Sequence, residues 1–248
     1  MEQEIDIYPS KPALVTMAAE KIVEIINLSR QRWGDCSVAL AGGNTPRDVY
    51  SLLASRLYQN RVDWPQVHLF WGDERAVPPD HPDSNFRMVK ESLLDQIEIP
   101  PANVHRMRGE IEPEQAALEY EQVLLEQFNE SPPRFDLILL GLGEDGHTAS
   151  LFPGAKAIDE KNKLVTSVFV SRLDTNRITL TLPVLNAART VIFLVAGSSK
   201  SEIVQRVLNL DGPSKQLPAS LVLPVPGNLM WMLDNSAAAL LFEKTRQS

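Results

Sequence analysis

The sequence predicts an α/β fold organised around a mostly parallel sheet, and three observations lead there. Apolar runs of strand length recur at residues 36–41, 67–71, 135–140 and 190–196. Runs that are largely apolar on both faces belong to strands buried on both sides, the usual situation in a parallel sheet. Segments of helical periodicity stand between the runs, so strands and helices alternate and right-handed crossovers are the expected connections. Composition breaks nowhere along the chain: there is no Gly/Ser linker, internal repeat or low-complexity tract, and the 18 prolines are spread among apparent loops. We therefore expect one domain spanning residues 1–248.

Taken in order, the run at 36–41 leads into a helix over residues 47–57. Its start carries Pro46 at the first helical position, Thr45 before it as the cap and Asp48 three residues on. The run at 67–71 ends in a charged turn, and Asp83-Ser84-Asn85 then provides the cap and first turn of a helix reaching Leu94. Residues 114–129 give the clearest helix, with Ala117, Tyr120, Val123, Leu124 and Phe128 on one stripe and glutamates on a solvated face. Residues 165–182 instead alternate as strands do, in Val165-Thr-Ser-Val-Phe-Val170 and Arg177-Ile-Thr-Leu-Thr-Leu182, with no helix-length gap. An antiparallel hairpin is expected there. The run at 190–196 precedes a helix to Leu210, for which Ser199 and Glu202 form a capping box.

Composition narrows the chemistry. A chain of 248 residues, 44% of them apolar, can bury roughly 70 to 75% of its unfolded surface and needs neither disulfide nor metal to fold. Cys36 is the single cysteine and lies within a strand, so it is neither bridged nor an activated nucleophile. The acidic start Met1-Glu2-Gln3-Glu4 is unlike a signal peptide, and no apolar run approaches the ~18 residues of a membrane span. We expect a cytoplasmic protein without a membrane partner. A net charge of -8, from 24 basic and 32 acidic residues, speaks against a grip on nucleic acid, which needs a basic surface. There is no G-x-S-x-G elbow and no His or Cys pair at zinc spacing. What remains is acid–base work on a phosphorylated small molecule, with no metal and no covalent intermediate.

In open parallel sheets ligands bind beyond the carboxyl ends of the strands. In Ala41-Gly42-Gly43-Asn44-Thr45-Pro46, paired glycines let backbone approach a ligand and a helix start offers free N–H groups to a phosphate, although a well-capped turn needs no ligand. In Phe70-Trp71-Gly72-Asp73-Glu74-Arg75, three charged residues follow a strand. The third segment, Gly141-Leu-Gly-Glu-Asp-Gly-His147-Thr-Ala-Ser-Leu-Phe152-Pro-Gly154, matches the dinucleotide fingerprint G-x-G-x-x-G literally. We reject that function, because Glu144 and Asp145 would face a pyrophosphate and Pro153-Gly154 would break the following helix. The segment is better read as presenting His147, whose unperturbed pKa of about 6.5 suits proton transfer, with Asp145 to orient it. His68 lies in a strand, and His81 and His105 sit in proline-rich loops without a convergent partner. In Val195-Ala-Gly-Ser-Ser-Lys200, a lysine at a helix start opposes the macrodipole, which an anionic partner would explain.

With these motifs, in this order and joined by Arg177-Ile-Thr-Leu-Thr, the chain resembles the 6-phosphogluconolactonases over nearly its whole length, from about Pro9 to Leu241. The resemblance implies a modified Rossmann-like three-layer sandwich with a mostly parallel sheet and a small antiparallel piece, shared with glucosamine-6-phosphate deaminases. It implies hydrolysis of 6-phospho-D-glucono-1,5-lactone to 6-phosphogluconate in the oxidative pentose phosphate pathway, without a cofactor. It makes His147 the general base, with Asp73 and Arg75 beside it. It assigns Arg75 to a substrate oxygen or the phosphate, Gly42, Gly43, Asn44, Thr45, Lys200 and Arg177 to the 6-phosphate, and counts Asp145 among the substrate-binding residues. Asn44 departs from the family, where Ser is more frequent; backbone contacts to phosphate survive that change and a hydroxyl contact does not. The deaminase branch shares the Gly-Gly loop, Asp73 and Asp145-Gly146-His147, but carries a ring-opening glutamate five residues after the histidine. Here that position is Phe152, which cannot transfer a proton. A non-catalytic sugar-phosphate sensor on the same fold would not require Asp73, Asp145 and His147 together. Oligomeric state is not legible.

Overall fold

A computed structural model describes residues 3–128, 131–209 and 217–241. In chain order its elements are β1 (Gln3–Tyr8), α1 (Lys11–Trp33), β2 (Cys36–Leu40), α2 (Asn44–Leu53), β3 (Val67–Trp71), β4 (Asp73–Arg75), α3 (Asn85–Ser92), β5 (Val104–His105), α4 (Pro113–Gln127), β6 (Leu137–Leu140), β7 (Val165–Val170), β8 (Thr175–Leu180), α5 (Leu182–Ala187), β9 (Thr190–Val195), α6 (Ser201–Leu208) and β10 (Asn228–Asp234). Seven strands form one sheet in the order β1-β10-β9-β6-β2-β3-β5, and every pairing in it is parallel. The expected hairpin is present as β7 and β8, and β4 joins it to make a three-stranded antiparallel sheet.

The four apolar runs are the four central strands of the large sheet, and β6 and β9 are buried along their whole length. Three further strands extend it: β1 and β5 at the edges and β10 inside β1. The chain moves outward from β2 to β3 in one direction and returns on the other side of β2 with β6. The β2/β6 boundary is therefore the topological switch point, where crossovers on opposite faces leave a crevice.

Beyond the ends of the ladders two buried tyrosines supply backbone hydrogen bonds, Tyr50 at the end of β2 beside the crevice and Tyr120 at the end of β3 where it parts from β5. The Tyr50 hydroxyl, from α2, accepts from Ala41 N–H at 2.9 Å and donates to Ala41 C=O at 3.0 Å. The Tyr120 hydroxyl, from α4, accepts from Trp71 N–H at 2.9 Å and lies 3.1 and 3.3 Å from the carbonyls of His105 and Trp71. An unpaired buried backbone group costs about 1 to 3 kcal/mol, so these clips matter to the open end of the sheet.

Several local expectations need correction. The cap of α2 is Gly43, at φ 100, and not Thr45, which lies inside the first turn; the helix ends at Leu53. No capping box forms from Ser199 and Glu202, because residues 198–200 are spent in a 3-10 turn and α6 begins only at Ser201. Helix α3 ends at Ser92 and α4 at Gln127, while Asn129 and Leu210 lie outside the described residues. Cys36 is buried as expected, and burial pushes its thiol pKa up.

His105 was expected to lack a partner and has one. It forms β5, its Nε2 lies 3.2 Å from His68 Nδ1, and its ring stacks on Phe70 at 4.4 Å. Burial first, and the charge of His68 second, push its pKa down from 6.5 to about 4. An unfolded chain binds this proton near 6.5 and the folded chain only near 4, so the stability conferred by the neutral ring is complete above 6.5 and lost as pH falls through that window. Melting temperature should fall as pH is lowered across this range, and His105→Phe should flatten the fall. An unchanged slope in the variant would exclude His105 as its source.

Candidate active site

At the carboxyl ends of β2, β3, β6 and β9 lies a cleft of about 750 Å³. Of the expected site residues, Gly42, Gly43, Asn44, Thr45, Asp73, Arg75, His147, Arg177 and Lys200 line it. Asp145, expected to contact substrate, does not line the cleft and stands behind the imidazole instead.

The segment after β6 is shaped to hold His147. Gly146 N–H donates to Gly143 C=O at 2.9 Å and Gly143 N–H to His147 C=O at 2.8 Å, closing a tight loop. A Cβ on Gly143 would collide with the imidazole, so the ring lies against bare backbone. His147 Nδ1 is 2.5 Å from Asp145 Oδ1. With a carboxylate there, Nδ1 carries the proton and Nε2 keeps a lone pair, the arrangement a base requires. Phe152 packs on the imidazole with ring centroids 4.4 Å apart. Burial pushes the Asp145 carboxyl up, but hydrogen bonds and charge from His147, together with the charge of Arg172, outweigh it and leave the pKa below the usual value.

Strand alternation separates the three charged residues that follow β3. Asp73 and Arg75 face the cleft. Glu74 points the other way and is 2% exposed. It accepts from the backbone N–H groups of Arg75 and Asn85, both at 2.7 Å, and of Phe86 at 2.8 Å, and from Ser84 Oγ at 3.0 Å. Burial raises its pKa while the three backbone donors pull it back. Glu74 thus ties β4 to the start of α3. Asp73 is oriented in turn by Ser150 Oγ, which donates at 2.6 Å, and by Asn85 Nδ2 at 3.3 Å. Asn85 also fills the space where a Gly42 side chain would be, so two strand-end loops meet on it.

Positive charge enters the cleft from two directions. Arg75 and Arg177 are directly opposed across β4 and β8. Each has a buried Nε with no hydrogen-bond partner, while Arg75 Nη1 donates to Asp83 C=O. Burial and then the charge of Arg75 lower the Arg177 pKa. Like charges directly across a strand pair repel, so an anion between them would be stabilising. Lys200, at the start of α6, lies 4.0 Å from Glu144. Beside it the N-terminus of α2 is capped by glycine without a side-chain hydrogen bond, leaving N–H groups open to an anion. Sequence reasoning did not find Ser150 or Arg172 as parts of the site. Their partners lie 77 and 27 positions away, at Asp73 and Asp145. Among the described residues no group of three or more His, Cys, Asp or Glu side chains is placed to hold a metal ion, and no helix is long and apolar enough to cross a membrane.

Residues 9–231 match the family model of the glucosamine-6-phosphate isomerases/6-phosphogluconolactonase, and the chain belongs to this family. It is similar to the 6-phosphogluconolactonase of Synechocystis sp., at 41% identity over 96% of this chain and 98% of that one. It is also similar to that of Haemophilus influenzae, at 34% over 90% and 95%. Among solved structures, the 6-phosphogluconolactonase of Trypanosoma brucei superposes with a TM-score of 0.84 at 33% identity, covering 97% of this chain and 99% of that one. A monomeric glucosamine-6-phosphate deaminase superposes with a TM-score of 0.80 at 21% identity, a likeness of fold.

Proposed function

We propose that the protein hydrolyses 6-phospho-D-glucono-1,5-lactone to 6-phosphogluconate, acting as one domain in the cytoplasm and without a cofactor. The observation that carries this is an imidazole whose Nδ1 is committed to a carboxylate, in a cleft that also holds Lys200, Arg75, Arg177 and an open helix N-terminus. In the reaction Nε2 of His147 removes a proton from water as the water oxygen bonds to the lactone carbonyl carbon. The tetrahedral intermediate expels the ring oxygen, which takes the proton back from the imidazolium, and the new carboxylic acid ionises. Asp145 stabilises the imidazolium between these steps. Lys200 with the Gly42–Thr45 loop suits the 6-phosphate. The Arg75/Arg177 pair suits a second developing anion, either the carbonyl oxygen or a phosphate edge. The deaminase reading needs a proton-transferring side chain where Phe152 packs on the imidazole.

Freshly generated lactone should disappear faster with the protein than by spontaneous hydrolysis. Rapid ammonia release from glucosamine 6-phosphate, with no lactonase activity, would overturn the assignment. For the phosphate subsite, Lys200→Ala should raise KM for the phosphorylated lactone roughly tenfold or more while scarcely changing kinetics on unphosphorylated gluconolactone. Equal effects on both substrates would remove Lys200 from phosphate binding.

A further inference from the structure

Arg172 lies outside every motif, in the turn at the tip of the β7–β8 hairpin, where Asp174 adopts a left-handed conformation. Its Nη2 is 2.9 Å from Asp145 Oδ2, while Asp145 Oδ1 faces His147 Nδ1 at 2.5 Å. The carboxylate therefore spends one oxygen on each cationic partner. The guanidinium also lies 5.3 Å above the ring of Phe152, and that ring packs on the imidazole at 4.4 Å. Arg172, Asp145, His147 and Phe152 close a circuit in which two independent contacts lead from the hairpin tip to the imidazole.

We propose that Arg172 is a positioning residue that shares the Asp145 carboxylate with His147 and thereby keeps the imidazole in the neutral, water-activating form. A carboxylate left wholly to a histidine favours the imidazolium, which cannot act as a base. A permanent cation on the second oxygen offsets part of that attraction and still leaves Oδ1 to fix the tautomer. Other charges around the cleft are Glu144 on the same loop, Asp73 and Arg75 on β4, Arg177 on β8 and Lys200 before α6. Farther along its wall, Lys11 pairs with Asp48 at 2.6 Å, and Asp234 accepts from Gly197 and Ala237 N–H groups. None of these bonds to Arg172, so a substitution there isolates its effect. The consequence for catalysis rests on the reading of His147 as the base; the electrostatic coupling does not.

The test is an NMR titration of the histidine ring protons, with the His147 signal assigned by its loss in His147→Gln. In Arg172→Ala the His147 midpoint should rise relative to wild type by roughly half a pH unit or more, and Arg172→Lys should restore most of the difference. The acid limb of kcat/KM for the lactone should move by the same amount. Identical midpoints in wild type and Arg172→Ala would overturn the proposal even if lactonase activity is present. A shifted midpoint in a protein without lactonase activity would sustain the coupling and sink the functional reading instead.

Discussion

His147→Ala should lower kcat/KM for the phosphorylated lactone by about 10²- to 10⁴-fold, the usual contribution of a positioned general base, with little change in melting temperature. The ring is partly exposed and lies on glycine backbone, so its removal leaves no sealed cavity. Asp145→Asn should cost less, because an amide at that position still contacts Nδ1 but no longer stabilises the imidazolium. If the two act as a unit, the double variant should be no slower than His147→Ala alone. Rates for His147→Ala equal to wild type, after spontaneous hydrolysis is subtracted, would exclude the imidazole from the reaction.

The largest effect on stability is expected at Glu74. Glu74→Ala removes the acceptor for three backbone N–H groups and a hydroxyl in a site that is 2% exposed. The loss should be on the order of 3 kcal/mol or more, a fall in Tm of roughly 6 to 12 °C for a chain of this size. Activity should fall with it, since β4 carries Asp73 and Arg75. By contrast, Glu91 makes only an exposed 2.7 Å pair with Arg87, and Glu91→Ala should change stability by less than about 1 kcal/mol. Equal melting temperatures for wild type and Glu74→Ala would show that the network contributes nothing.

Sequence and structure agree where the signal is local. The central strands announce themselves because burial on both faces demands unbroken apolar runs, and the loops after them were legible because a parallel sheet places ligands at its carboxyl end. Strand β1 escapes this logic: as an edge it carries Glu4 and Asp6 and is half solvated. The two-residue β5 is too short for any pattern. Strand β10 is different, since residues 229–233 form a run as apolar as the others and were open to the same reading. Glu74 could have been separated from its neighbours, because three consecutive residues on a strand cannot all face one cleft. Arg172 could not: its partner is set by where the hairpin tip falls, and Ser171-Arg172-Leu173-Asp174 reads as an ordinary solvated turn.

The hydroxyl clips of Tyr50 and Tyr120 bear on what can change without harm. Both reach the strand ends from helices α2 and α4, so Ala41 and Trp71 are anchored from outside the loops that follow them. A changed side chain at the exposed Asn44 leaves the Tyr50 clip intact, whereas Gly42 has no room for one beside Asn85. A scaffold closed in this way can exchange its rim and acquire a different substrate while keeping the same interior.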